Sequence, residues 1–375
     1  MAYDQLAKKE VKMKNILRLL LKTQHQQNRC RQAQTEKGMT LVELLVGSIM
    51  AFLIITPMLA FVVDMLNTDR REQVKSNTEQ DLQAAVDFIS QDLSQAIYIY
   101  DNEAINNPDP SKSIKLNLPD NENLNRIPIL VFWKRQRLKD AIPIKTNVAQ
   151  IKPIQCNDSD ENREQCNDTD VLSLVAYYQF KETDPKSIWC QPSGDTCPTR
   201  IARYEISDGV RNPDATDLTK PYYEDSETIP SQRKDAAFNQ NFDFNKPTDK
   251  VTVDKLKDPT SGATKPEVLV NYIDHTAPKQ TLSPTECQTA LGNPKDPKTE
   301  QPLTETALKV TDSTSPNPTN SFYACVDTEK NIARVTIRGN SLRRLQDSNV
   351  ASSTDNSAFF PTATFQIKGL GARGK

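Results

Sequence analysis

Residues 39–101 read MTLVELLVGSIMAFLIITPMLAFVVDMLNTDRREQVKSNTEQDLQAAVDFISQDLSQAIYIYD. From Leu44 to Val63 this is a run of 20 residues without a charge, closed by Asp64. A helix rising ~1.5 Å per residue covers ~30 Å over that run, the thickness of a bilayer core. Residues 64–77 are charged, with Arg70, Arg71, Glu72 and Lys75, but contain no helix breaker. Apolar residues then recur at Leu82, Ala85, Val86, Ile89, Leu93, Ala96, Ile97 and Tyr100. That three-four spacing lays one stripe along a helix, with Asp81, Asp87, Gln91 and Asp92 on its other faces. The pattern predicts a single helix from about Thr40 to Tyr100, roughly 90 Å long. Its first half is hydrophobic and its second amphipathic. Gly47 and Pro57 lie inside the apolar half. Proline removes an amide and crowds the preceding turn, which predicts a kink, although membrane helices also tolerate proline.

Outside this helix the charge is asymmetric. Residues 1–38 carry nine Lys or Arg against three acids, a charge of +6, which leaves −8 for the rest of a chain whose total is −2. Basic residues before the apolar run place the N-terminus in the cytoplasm and the C-terminal bulk on the far side. A secretory signal fits poorly, because the best cleavage site, Met58-Leu59-Ala60, has a large residue at its first position. An uncleaved signal anchor fits the composition. Only 36% of the 375 residues are hydrophobic, which excludes a multi-spanning membrane protein. The near-neutral total argues against nucleic acid as a partner. Two histidines leave little material for His-based catalysis or a His-rich metal site.

Directly before the run stands Glu36-Lys37-Gly38-Met39-Thr40-Leu41-Val42-Glu43-Leu44-Leu45. This resembles the class III signal of type IV prepilins and pseudopilins. The resemblance implies that a prepilin peptidase cuts after Gly38, that the new amine on Met39 is methylated, and that Glu43, fifth in the mature chain, acts in assembly. Read without the family, Thr40-Leu41-Val42-Glu43 is a T-x-x-E capping box, in which Glu43 satisfies helix-start amides. A carboxylate beside a membrane run is costly without a partner, and the Met39 amine of a neighbouring subunit is one. The size of the chain and TEQDLQAAVDFISQDLSQA (78–96) are similar to minor pseudopilins of the J or W type. The segments ARVTIRGNSLRR and FFPTATFQIKG, with the long basic leader, are similar to pseudopilins of cyanobacterial hormogonium polysaccharide secretion. The resemblance implies a subunit of a pseudopilus serving polysaccharide export and gliding motility. It would be single-pass in the cytoplasmic membrane with a periplasmic domain. Its partners would be the peptidase, the inner-membrane assembly platform and other pseudopilins. A pilin of a type IV pilus or of type II protein secretion is the nearest alternative. An anchored binding domain that never assembles, or an anchored enzyme, also stays open, though no catalytic constellation is visible and no cofactor is expected.

Beyond Asp101, strand signals are short and separated by long polar loops: Ile127–Trp133, Val171–Phe180, Arg200–Ile206, Val268–Ile273, Ser321–Val326, Ala333–Gly339 and Thr362–Lys368. One helix and then a run of strands predicts an α+β fold, with the amphipathic stripe covering an antiparallel sheet. The expected divisions are a leader, 1–38, an apolar half-helix, 39–66, an amphipathic half, 67–101, a β-rich domain, 102–368, and a flexible tail, 369–375. The tail contains a literal G-x-G-x-x-G, but no helix comes after it to hold a phosphate. Removal of Cys30 with the leader would leave Cys156, Cys166, Cys190, Cys197, Cys287 and Cys325 in an oxidising compartment. Six cysteines allow 15 connectivities. Local pairing is expected: 156 with 166, 190 with 197, 287 with 325. The stretch 157–170, NDSDENREQCNDTD, offers Asp158, Asp160, Asp168 and Asp170 as calcium ligands, but Arg163 and Thr169 break the EF-hand spacing. It reads better as a solvated acidic loop. His275, beside Asp274, has no nucleophile motif near it.

Overall fold

The computed structural model describes residues 40–109, 112–118, 125–143, 166–193, 197–212, 215–216, 219, 221–223, 234–241, 266–276, 283–312, 320–346 and 350–370. The chain divides into two compact units, Met1–Asn67 and Thr68–Lys375. Helix α1, Leu41–Ser94, contributes residues to both. In the first unit its side chains from Leu41 to Leu66 are exposed all the way round. An uncovered helix that is apolar on every face has the surface a bilayer covers, and α1 is long and apolar enough to cross one. Gly47 and Pro57, the expected kink positions, both lie within this unbroken helix.

In the second unit α1 turns one stripe inward, burying Thr78, Leu82, Ala85, Val86, Ile89, Asp92 and Leu93. The apolar members of the stripe match the spacing of three and four. Asp92, expected on another face, is instead only 7% exposed. The helix also ends earlier than Tyr100. It stops at Ser94 and gives way to β1, Ala96–Ile99. Ile97, Tyr98 and Ile99 are β-branched or aromatic, and such residues favour a pleated surface over a helical one. After β1 comes a short helix α2, Asn102–Asn106, capped by Asp101, whose side chain accepts from Ala104 N at 2.9 Å. The next strands are β2, Arg126–Pro143, β3, Cys166–Lys181, β4, Thr199–Ser207, and β5, Glu267–Ile273. Two short helices come next, α3, Glu286–Ala290, and α4, Glu305–Leu308. Strands β6, Lys309–Val310, β7, Phe322–Asp327, β8, Ile332–Arg338, and β9, Thr362–Lys368, lie in the C-terminal part.

Two antiparallel sheets result, one ordered β1-β2-β3-β4-β5 and one ordered β6-β7-β8-β9. The fold is α+β. Every expected strand has its counterpart. Strands β2 and β3 run well past their apolar segments into a polar two-stranded arm, in which Arg137 meets Asp168 and Arg135 meets Asp170. The inner faces of both sheets and the α1 stripe share one hydrophobic core that includes Leu82, Ile89, Leu93, Phe132, Trp133, Val175 and Val335. Full burial of each such side chain is worth about 1.5–3 kcal/mol.

Two glycines allow close approach. A Cβ on Gly339 would sit 2.8 Å from the Thr78 methyl on α1. A Cβ on Gly369 would sit 2.3 Å from the Ala96 carbonyl oxygen. Gly369 N also donates to Asn331 O at 2.9 Å, and Leu370 N to Ser94 O at 3.3 Å. These first two residues of the expected tail are therefore held in the fold; residues 371–375 lie outside the described residues. Disulfides join Cys190 to Cys197 and Cys287 to Cys325, with Cα atoms 4.8 and 5.2 Å apart, as the local pairing predicts. Cys166 is also disulfide-bonded; its expected partner, Cys156, lies outside the described residues.

Candidate assembly site and a buried ion cluster

Gly38 and Met39 lie outside the described residues, so the site begins at Thr40. Here the chain enters α1 through a reciprocal cap. Thr40 N and Thr40 Oγ1 both donate to Glu43 Oε2 at 3.1 Å, and Glu43 N donates to Thr40 Oγ1 at 3.3 Å. These bonds satisfy amides that the helix itself leaves unpaired. The negative carboxylate also stands at the positive end of the helix dipole. Glu43 is exposed and stands within the first turn of the apolar surface of α1, which begins at Leu41. Ser48 Oγ donates to Leu45 O and Thr56 Oγ1 to Phe52 O, both at 2.8 Å. The two hydroxyls of this stretch are thereby withdrawn from the surface of the span.

A second feature lies in the domain, at residues that no sequence motif marks. Asp92, on α1, faces Lys134 on β2, Tyr177 on β3 and both Arg203 and Glu205 on β4. Lys134 Nζ donates to Asp92 Oδ1 at 2.8 Å and lies 2.9 Å from Glu205 Oε1. Tyr177 OH and Arg203 Nε both donate to Asp92 Oδ2 at 2.8 Å. Arg203 also pairs with Glu205 and lies over the Phe88 ring. The side chains of Asp92 and Lys134 are each 9% exposed. Two cations and two anions make the cluster formally neutral, which is how buried charge is tolerated. Burial alone raises the Asp92 carboxyl. The hydrogen bond from Arg203 and the charges of Lys134 and Arg203 outweigh it and hold the group below its ordinary value. Burial and the Asp92 charge push the Tyr177 phenol far up, so it stays a donor.

A sequence signal for this cluster exists. Asp92 comes seven positions after Ala85 and three after Ile89, which places it on the buried stripe. Lys134 directly ends an apolar run, and Arg203 and Glu205 alternate onto one face of β4.

The calcium candidates do not converge among the described residues. Asp168 accepts from Asp140 N at 3.0 Å and from Arg137 Nε at 2.9 Å, and those bonds lower its carboxyl. Asp170 faces Arg135 at 3.7 Å. Asp158 and Asp160 lie outside the described residues. No group of three or more His, Cys, Asp or Glu among the described residues is placed to hold a metal ion. His275 is half-buried, and its neighbour Asp274 is fully buried against Arg338 at 2.8 Å.

No protein-family model, no curated protein and no solved structure matches this chain.

Proposed function

We propose that the chain is a minor pseudopilin, a non-enzymatic structural subunit of a type IV pilus-like or type II secretion-like pseudopilus. One observation carries the proposal. The prepilin-type stretch Glu36–Leu45 leads straight into an exposed apolar helix, and that same helix, α1, supplies the buried stripe of an α+β domain. An ordinary anchor needs no such continuity. On this reading the chain crosses the cytoplasmic membrane once and is trimmed after Gly38 by prepilin peptidase. The assembly platform then passes it into a filament, where the apolar surface from Leu44 to Val63 packs against other pseudopilins. Disulfides in the second unit suit a periplasmic location. The similarity of the C-terminal segments to hormogonium pseudopilins supports a role in polysaccharide secretion and gliding motility.

The closed capping box favours a second reading, a single-pass anchored domain that is not assembled. There Glu43 serves only its own helix. Mass spectrometry of the mature chain separates the two. Assembly requires a chain beginning at a methylated Met39, and Gly38→Val should leave the 38-residue leader attached. A mature protein that still begins near Met1, or begins after Ala60, excludes the pseudopilin.

A further inference from the structure

The buried cluster brings together the parts of an amide-forming site. Lys134 and Asp92 are an amine and a carboxyl in direct contact, from elements 42 positions apart in the chain. Both are almost fully withdrawn from water. Fixed contact of this kind replaces a bimolecular encounter with an effectively unimolecular one. The surrounding groups are not arranged symmetrically. Oδ2 of Asp92 receives two donors, Arg203 Nε and Tyr177 OH, whereas Oδ1 receives only Lys134 Nζ. Glu205 Oε1 lies 2.9 Å from the same Nζ.

We propose that Lys134 and Asp92 condense spontaneously to an intramolecular isopeptide bond, with Glu205 as the proton carrier. Glu205 takes a proton from the Lys134 ammonium, which frees the nitrogen lone pair. Glu205 passes that proton on to Oδ1 of Asp92, so that a neutral amine faces a neutral carboxylic acid. Nζ then attacks Cγ, a C–N bond forms, and the negative charge that develops is carried by Oδ2, where Arg203 and Tyr177 already donate, as an oxyanion site requires. A second proton, from Nζ, joins the first on Oδ1. The C–Oδ1 bond breaks and water leaves. Ammonium and carboxylate have become an amide and water, so atoms and charge balance without any oxidant or activated donor. Glu205 ends as it began, and the product would tie α1 covalently to β2.

This inference rests on the cluster alone and stands or falls independently of the pseudopilin reading. The test is the intact mass and the peptide map of the full chain purified from membranes. The expected mass is lower by one water, beyond the hydrogens lost to disulfides. A branched peptide should join the segment holding Asp92 to the segment holding Lys134. Lys134→Arg keeps the charge but has no primary amine; it should lose both signatures. Glu205→Gln should slow bond formation by about 10²-fold or more, the usual contribution of a positioned acid–base group. A folded wild-type protein of full uncondensed mass overturns the proposal without any variant. So does a water loss that survives Lys134→Arg, or a branch that maps to Glu205 instead of Asp92.

Discussion

Glu43 makes two bonds that a glutamine could also make, and carries one charge that a glutamine could not. Its Oε2 accepts from Thr40 N and Thr40 Oγ1. A capping box works with either residue at this place and is worth about 1 kcal/mol at one helix end. Pairing with a cationic amine on a neighbouring subunit needs the carboxylate. Glu43→Gln therefore separates the cap from the charge. On the proposed pseudopilin reading, the expected outcome is normal membrane insertion, normal cleavage after Gly38 and intact disulfides, with loss of incorporation into a filament. Co-purification with the other pseudopilins and complementation of a deletion strain are the measurements. Full incorporation of Glu43→Gln would contradict the assembly role and leave only the cap. The sequence offers both roles at one position, since the glutamate that closes T-x-x-E is also the fifth residue after Gly38.

At the scale of elements, apolar period decides what is legible. The strands show as short β-branched and aromatic runs between polar loops, and all seven expected ones form. The end of α1 is misread from sequence because Ala96, Ile97 and Tyr100 continue the three-four spacing by coincidence. The burial of this segment instead comes from pairing with β2, where Ile99 lies opposite Phe132, and from the bond that Trp133 Nε1 donates to Tyr100 OH at 2.9 Å. The arm of β2 and β3 escapes an apolar pattern, because its buried members Leu138 and Ala141, which pack with Val171 and Val210, are interspersed with charges that pair at the surface.

The loop between β3 and β4 carries the Cys190–Cys197 disulfide that the sequence predicts and, unmarked by any motif, a carboxylate that gathers its turns. Glu182 accepts from Thr183 N, Asp184 N, Ser187 Oγ and Arg200 Nη1, the last at 2.7 Å. Burial raises its carboxyl, but the Arg200 bond and the backbone and hydroxyl donors prevail and bring it to about 2, from an ordinary 4.5. A folded value below the unfolded one means stability that is fully present above pH 4.5 and lost as pH falls toward about 2. Glu182→Gln should lower Tm at neutral pH, and the gap to wild type should close across that window. Melting curves that stay a constant distance apart down to about pH 2 would show that the carboxylate does not stabilise the loop.

For the whole molecule, the distribution of exposed apolar side chains divides the two units more sharply than any turn. Among the described residues, every large exposed hydrophobic side chain lies between Leu41 and Leu66 except Phe88, Ile188, Leu345 and Leu370. Soluble monomers rarely expose contiguous apolar patches beyond a few hundred Å². The four exceptions are scattered singly and need no cover. The surface from Leu41 to Leu66 is continuous and does. The second unit, Thr68–Lys375, has its own hydrophobic core and both mapped disulfides, and its part of α1 is already buried on one side. A chain beginning at Thr68 and exported to an oxidising compartment should therefore be soluble without detergent and monomeric, with Cys190 joined to Cys197 and Cys287 to Cys325. The full chain should partition into membranes and require detergent. Fractionation, light scattering and non-reducing peptide mapping measure these outcomes. A truncated chain that aggregates, or whose cysteines pair otherwise, would mean that residues 1–67 contribute to folding the second unit. Their role would then extend beyond anchoring it.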